Sequence, residues 1–372
     1  MAPERIELSR TDDLRDVVHR AVACLAQGGI VGLPTETAYG LAASALHPEA
    51  VSRLRLLKNA SGLKPMALGL KGFEEVADWV PALALHGRRL SRRAWPGPVV
   101  LIFQGEVSRG LSRCLPVEVK PAVVPGQTVG LRSPAHPLVR EILRLIPGPI
   151  VLTGAPSSNG KRTAATADAL MGLSGVDMIL DDGPSHLAGP ATVVIVDPNG
   201  WEVVRPGVVA ADELTRMAGT LVLFVCTGNT CRSPMAEALC KAMLAERLGC
   251  RLDQLESKGF VVESAGVAAV DGMPAATNAV EIVSSLGGSL ERHASRRLTP
   301  ELVQHADLIV TMTRDHHDVL LTHLPEAAHR TRLLDPEGND IDDPVGLDRD
   351  TYRRTARQIQ KHLTPLIDEL VA

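Results

Sequence analysis

The chain has 372 residues, which at roughly 150 residues per domain makes two domains the expectation. Apolar residues are 45% and charged residues 22%, ordinary globular usage that excludes a disordered or fibrous chain. A formal net charge of −4 and 2% aromatics exclude both a general pull toward nucleic acid and a platform of stacked aromatics for binding it.

Leu14, Val17, Val18, Ala21, Val22 and Leu25 fall at helical spacing ahead of a Gly28-Gly29 stop. A buried strand over 30–33 follows, then the polar turn 34–41, a helix over 49–58 and a strand over 66–70. Further strands are expected at 99–103, 128–131, 150–153 and 192–196. Strands and helices alternate without a short repeat, so the class is α/β. Residues 210–219 are small and polar and read as a linker between a domain over 1–209 and one over 220–372. Beyond it, 221–225 is a continuous apolar run, as in a central parallel strand. A glycine-containing loop, a helix from Ser233 to about Leu248, a strand over 261–264 and a helix over 274–286 come next. A helix opened by Thr299-Pro300, a strand over 308–311 and an amphipathic helix over 348–371 complete a doubly wound, Rossmann-like parallel-sheet unit.

Six cysteines at irregular spacing do not form a disulfide framework. The charged N-terminus does not read as a signal peptide, and no apolar run reaches the ~18 residues of a spanning helix. A cytoplasmic protein with free thiols is the expectation.

Cys226-Thr227-Gly228-Asn229-Thr230-Cys231-Arg232-Ser233-Pro234 lies between the buried strand and the helix start. Such a turn aims successive backbone N–H groups and the positive end of a helix at one spot, an anion cradle. Gly228 is expected to permit the tight backbone path, and Arg232 offers a planar fork for phosphate oxygens. A cysteine at the base of the cradle is favoured as thiolate, a competent nucleophile. Cys226 and Cys231 as a metal pair is the weaker reading, since no second Cys or His pair has suitable spacing. Cys240 and Cys250 read as structural, and His316-His317 as a solvated helix face.

These residues resemble the low-molecular-weight protein tyrosine phosphatase family, whose signature C-x-G-N-x-C-R-S-P is complete here. The likeness continues through Ser264-Ala265-Gly266, the segment 306–312 and Asp343-Pro344. By that resemblance Cys226 attacks phosphorus, while Arg232 and the loop amides bind the phosphoryl oxygens. Asn229 and Ser233 hold the loop and thiolate, and Asp343 acts as acid, then base, without metal. Cys231 corresponds to a second cysteine able to form a disulfide with the nucleophile. Thr230, where tyrosine-specific members carry an aliphatic residue, and Val345-Gly346, where they often carry an aromatic pair, point to phosphoarginine in protein first and phosphotyrosine second. An arsenate-reductase-like chemistry is a rival that needs Cys231 as resolving thiol.

In the amino half, Thr35-Glu36-Thr37-Ala38-Tyr39-Gly40-Leu41 gathers an acid, hydroxyls and a phenol in a turn. Lys58, Lys64-Pro65, Arg132-Ser133-Pro134 and Ser157-Ser158-Asn159 follow, a set able to hold a polyphosphate and a small polar substrate. In order, and with Trp95-Pro96-Gly97-Pro98 and Arg205-Pro206-Gly207, they resemble the YrdC-like threonylcarbamoyl-AMP synthase family over residues 10–208. The resemblance implies a twisted, open, mixed sheet. It also implies condensation of L-threonine, bicarbonate and ATP, with Mg²⁺, for threonylcarbamoyl modification of tRNA. Lys58, Lys64, Ser157 and Asn159 would bind phosphates, and Thr35 and Arg132 would face threonine or the adenylate, with Tyr39, Thr192 and Arg205 completing the site. tRNA or tRNA-modification proteins are the implied partners. Two departures stand out: Ala60 where the family has arginine, and Ala191 where it often has serine. Arg53, Arg55 or Arg162 are candidates to replace the missing cation. The rival reading makes this domain a non-catalytic nucleotide- or RNA-binding module beside an active phosphatase. Arg88, Arg89, Arg92 and Arg93 read as the solvated side of a helix.

Overall fold

The computed structural model describes residues 3–58, 66–155 and 164–371. The chain divides into two units, one through Met217 and one from Ala218.

The first unit begins β1 (Glu4–Glu7), α1 (Leu14–Ala26), β2 (Ile30–Leu33), β3 (Gly40–Ser44), α2 (Pro48–Leu57) and β4 (Ala67–Gly69). It continues α3 (Val76–Trp79), α4 (Leu85–Ala94), β5 (Val99–Gln104), α5 (Lys120–Val123), β6 (Thr128–Arg132), α6 (Pro137–Leu145) and β7 (Ile150–Gly154). It ends β8 (Met178–Asp181), β9 (Thr192–Asp197), β10 (Gly200–Arg205) and α7 (Ala211–Ala218). The strands form one mixed ten-stranded sheet in the order β1-β8-β2-β3-β7-β4-β6-β5-β9-β10.

Asp13 opens α1 by accepting the amides of Arg15 (2.9 Å) and Asp16 (3.3 Å). The periodic face of α1 then buries Val17, Val18, Ala21 and Leu25 with Val139, Ile142 and Leu143 of α6 against β2, β7 and β8. Each fully buried Val, Leu or Ile contributes roughly 1.5–3 kcal/mol, which holds the helices to the sheet. This cover does not extend across the whole face. Strands β5 and β9 are apolar on both sides: Leu101, Phe103, Val194 and Val196 are buried, while Val100, Ile102, Val193 and Ile195 are only half-buried. The half-buried set floors a cavity of about 990 Å³.

The expected strands at 30–33, 66–70, 99–103, 128–131, 150–153 and 192–196 correspond to β2, β4, β5, β6, β7 and β9. Strands β1, β3, β8 and β10 were not anticipated; β3, Gly-Leu-Ala-Ala-Ser, is too small-residued to show a strand pattern. The segment read as a linker is instead largely helical: α7 carries Asp212 and Glu213 in its first turn and Arg216 in its last, the charge order that suits a helix dipole. The arginine cluster on α4 is likewise not a solvated face throughout. Arg92 is buried, and Arg93 donates to the Met217 carbonyl at 2.7 Å.

The second unit runs β11 (Thr220–Cys226), α8 (Arg232–Leu248), β12 (Phe260–Gly266), α9 (Thr277–Ser285), α10 (Pro300–His305) and β13 (Leu308–Thr311). It ends with α11 (Arg314–His323), β14 (Thr331–Leu333) and α12 (Arg349–Val371). Its four strands are parallel in the order β12-β11-β13-β14. Side chains of β11 alternate between two cores. Val222 and Phe224 pack with Met235, Leu239 and α12, and Leu221, Leu223 and Val225 with Val303, Ile309 and Leu320. Because β12 lies on one side of β11 and β13 on the other, the strand order reverses at β11. In such sheets the crevice at the carboxyl end of that strand receives the ligand. The helix expected to carry His316-His317 is α11, whereas strand β14 was not anticipated. Among the described residues no helix is long and apolar enough to cross a membrane.

Candidate functional site

Cys226 ends β11 at that crevice and is 3% exposed. Its Sγ lies 2.9 Å from Ser233 Oγ, and the Asn229 amide donates to it at 3.3 Å. The Asn229 side chain donates to Ser233 Oγ and Ser264 Oγ, each at 2.9 Å, and its Oδ1 accepts the Arg296 amide at 2.9 Å. Its carbonyl pairs with His293 Nε2 at 2.8 Å. With Asn229 donating to Ser233, the serine's own proton can go to the sulfur at 2.9 Å or to the Ala265 carbonyl at 3.3 Å, and the first choice stabilises a thiolate. Ser264 in turn donates to Glu237 at 2.6 Å. These fixed bonds pin a backbone that is otherwise strained, since Asn229 sits at φ 53°.

Here the glycine reading needs correction. Gly228 has no positive φ, and a Cβ on it would meet only Thr230 Oγ1 at 3.7 Å. The position with no room is Gly266 at the end of β12. A Cβ there would lie 2.4 Å from the Thr227 carbonyl oxygen and 2.9 Å from the Asn229 amide nitrogen. The loop lies directly on that glycine.

Helix α8 starts at Arg232 with Cys231 as N-cap and no side-chain cap, so its first amides stay available to an anion. Arg232 is 6% exposed; it donates to Asp343 Oδ2 at 2.6 Å and to the Ile341 carbonyl at 3.5 Å. Asp343 keeps a half-exposed carboxylate at the mouth, with Oδ1 accepting the Val345 amide at 3.2 Å. Cys231 Sγ lies 3.2 Å from the buried Tyr352 hydroxyl. Burial and this contact push the Tyr352 phenol up. Thr230 is half-buried in the same loop. Cys240 is fully buried, and burial raises its thiol to about 12, which makes it inert.

His316, expected on a solvated helix face, is 5% exposed. Its Nε2 lies 2.8 Å from Thr227 Oγ1 and its Nδ1 2.8 Å from Thr313 Oγ1. Burial, then the nearby Arg232 guanidinium, hold this imidazole down to about 4. An isolated His-His on an amphipathic helix carries no sequence signal for such a role; only the fold brings it to the loop.

In the first unit, the floored cavity is lined also by Lys58, Lys120, Gln104, Thr128 and Arg205. Burial, and then Arg132 nearby, lower the Arg205 guanidinium. Two cations held close together make a site ready for an anion. Arg132 donates to Glu36 at 2.7 Å and to Thr37 Oγ1 at 2.9 Å. Thr35 is buried beside Thr37 (Oγ1 to Oγ1, 2.9 Å). Thus Lys58 and Arg205 share the cavity, Arg132 stands near Arg205, and Thr35 joins Arg132 through Thr37.

Two expected ligands are occupied otherwise. The Tyr39 hydroxyl donates to the Gly183 carbonyl at 2.8 Å and accepts the Asp182 amide at 3.0 Å, and the ring is fully buried. Thr192, 0% exposed, donates to the Val209 carbonyl at 2.9 Å and accepts the Val209 amide at 3.0 Å. Both are struts. Of the candidates to replace the missing arginine, Arg53 donates instead to the Gly28 carbonyl, and Lys120, which the sequence did not single out, lines the cavity. Lys64, Ser157, Asn159, Ala60 and Arg162 lie outside the described residues.

Residues 23–207 match the Sua5/YciO/YrdC family model, described as "Telomere recombination". Residues 221–372 match the model described as "Low molecular weight phosphotyrosine protein phosphatase". The threonylcarbamoyl-AMP synthase of Pyrococcus abyssi (strain GE5 / Orsay) is 29% identical over 209 residues, 54% of this chain and 57% of that protein. The chain therefore spans less than two thirds of the length of that relative. The protein-arginine-phosphatase of Bacillus subtilis (strain 168) is 36% identical over 153 residues, 40% of this chain and 95% of that protein. A low molecular weight protein-tyrosine-phosphatase of Escherichia coli (strain K12) is 32% identical over 142 residues, 38% of this chain and 87% of that protein. Through residues 221–372 the chain belongs to the low molecular weight phosphotyrosine protein phosphatase family, joined in one polypeptide to a Sua5/YciO/YrdC domain over residues 23–207.

Proposed function

We propose that the second unit hydrolyses phosphorylated protein through a phosphocysteine, with phosphoarginine as first substrate and phosphotyrosine as second. The observation that carries this is Cys226 Sγ held by the Ser233 hydroxyl and the Asn229 amide beside a buried Arg232. The Cys226 thiolate attacks phosphorus, and the bond from phosphorus to the arginine nitrogen or tyrosine oxygen breaks. Asp343 gives its proton to the leaving atom. Water then attacks the phosphocysteine, Asp343 takes the proton, and inorganic phosphate leaves with the thiolate regenerated. Arg232, Thr227, Gly228, Asn229, Thr230, Cys231 and Ser233 form the cradle, and an oxyanion taking Arg232 frees Asp343 from its ion pair. Thr230 leaves polar room for a guanidinium, and an arginine phosphatase among the relatives favours that order. Hydrolysis of phosphoarginine and phosphotyrosine proteins, compared in one assay, tests it; equal loss of both with Cys226→Ser is expected.

For the first unit we infer synthesis of threonylcarbamoyl-AMP from L-threonine, bicarbonate and ATP. The triphosphate would lie among Lys58, Lys120 and Arg205 over the apolar floor, with Arg132 and Thr35 toward threonine. Mg²⁺ would be carried to the site on the nucleotide phosphates. Pyrophosphate release that needs both L-threonine and bicarbonate tests this reading. ATP binding without turnover would favour the binding-module alternative.

A further inference from the structure

Three hydrogen-bonding groups run in line beneath the lip of the phosphatase cradle: Thr313 Oγ1, the His316 ring and Thr227 Oγ1. Thr313 is the N-cap of α11, so its oxygen already accepts the His316 amide at 3.3 Å. It is 9% exposed, and among the described residues His316 Nδ1 is the one acceptor placed for its proton. The opposite arrangement would have Nδ1–H donate into an oxygen that already accepts a backbone amide. It would leave the Thr313 proton buried without an acceptor, a costly omission. The network therefore assigns the proton of the neutral imidazole to Nε2. Nε2–H then donates to Thr227 Oγ1. That contact uses the Thr227 oxygen as acceptor and leaves its own proton without a protein partner among the described residues. Thr227 is exposed and directly follows Cys226 in the cradle.

We infer that His316 is a positioning residue, which as the Nε2–H tautomer turns the Thr227 hydroxyl proton toward the bound phosphoryl oxygen. Thr227 is thereby a further donor to the oxyanion, added to the loop amides and Arg232. The inference rests on the phosphatase reading of the cradle, because it needs a phosphoryl group there. The imidazole stays neutral at physiological pH, as its depressed value of about 4 requires.

Two measurements on the full-length chain test it. Histidine ¹⁵N–¹H correlation spectra, assigned with a His316→Gln variant, should show His316 protonated at Nε2. Protonation at Nδ1 overturns the inference. Calorimetric titration with inorganic phosphate, with Arg232→Met as the control that removes the cradle's cation, reads the donor itself. Thr227→Val should weaken phosphate binding about tenfold, the loss of one hydrogen bond to a charged group. Thr227→Ser and His316→Gln, which restore a hydroxyl and an amide N–H in place of Nε2–H, should stay within about threefold. Unchanged binding in Thr227→Val, whose exposed position cannot unfold the core, overturns it as well. A wild-type protein that binds phosphate at the cradle but hydrolyses no phosphomonoester or phosphoarginine would instead defeat the phosphatase reading alone.

Discussion

Arg232 Nη2 donates to Asp343 Oδ2 at 2.6 Å, so the cation that closes the anion cradle is tied to the acid proposed to protonate the leaving group. One guanidinium cannot serve both at full strength, and anion binding and release of Asp343 become a single event. Asp343→Asn should lower kcat on phosphotyrosine peptide by about 10²–10⁴, the span of general acid catalysis. The same variant should bind inorganic phosphate no more weakly than the parent, because Arg232 is relieved of its carboxylate. Weaker phosphate binding would show that Asp343 orients Arg232 rather than competing for it.

Ser233 Oγ accepts one proton of the Asn229 side-chain amide and lies 2.9 Å from the Cys226 sulfur. Ser233→Ala removes the hydroxyl that stabilises the thiolate and the phosphocysteine leaving sulfur. A fall in kcat of about 10²–10³ is expected from steady-state kinetics. Calorimetry should show a stability loss of about 1–3 kcal/mol, because the Asn229 side-chain N–H loses its buried acceptor.

His316 also carries a stability prediction. Its value falls from 6.5 to about 4 on folding, so between those pH values the unfolded chain takes up a proton that the native protein refuses. The contribution is complete above pH 6.5 and is lost as pH falls toward 4, to the extent of about 3 kcal/mol. The charges bearing on the ring are Arg232, Asp315, Asp343 and Asp340. Urea unfolding of the second unit should weaken more steeply from pH 7 to pH 5 in the parent than in His316→Gln. Parallel curves would contradict the burial argument.

In the first unit the struts and the ligands should separate cleanly. Thr192→Val should lower stability by roughly 1–3 kcal/mol, since it strands the Val209 amide and carbonyl, and leave the KM for ATP near the parent value. Arg205→Ala or Lys58→Ala should raise that KM by about one to two decades, with phosphatase activity untouched. Threonine-dependent pyrophosphate release reads all three variants. A KM shift in Thr192→Val equal to that of Arg205→Ala would return Thr192 to the site.

The phosphatase loop was legible because its chemistry is contiguous: Cys226 through Pro234 lie on one strand-loop-helix turn, and each side chain follows from the path of the backbone. The partners that hold it, His316, Arg296 and Tyr352, come from distant elements and left no pattern to read. Gly228 drew the glycine argument although the crowded position is Gly266, because a close approach between two segments is invisible along one. In the first unit, Tyr39 and Thr192 show a different limit. A hydroxyl in a turn or at the start of a strand looks the same in sequence whether it serves a ligand or a neighbouring stretch of backbone. The cavity floor was hidden for a related reason: apolar residues on both faces of β5 and β9 read as full burial, whereas α1 and α6 cover only part of that sheet face.

The central claim, covalent phosphoryl transfer to Cys226, is tested most directly by trapping the intermediate. Full-length Asp343→Ala, which lacks the proposed base for hydrolysing the phosphocysteine, would be mixed with a phosphoarginine-bearing protein, quenched and digested for mass spectrometry. The account predicts a phosphoryl adduct on the peptide bearing Cys226, absent from the same peptide of Cys226→Ala/Asp343→Ala. Turnover by the parent with no adduct on Cys226 under any quench time would contradict it.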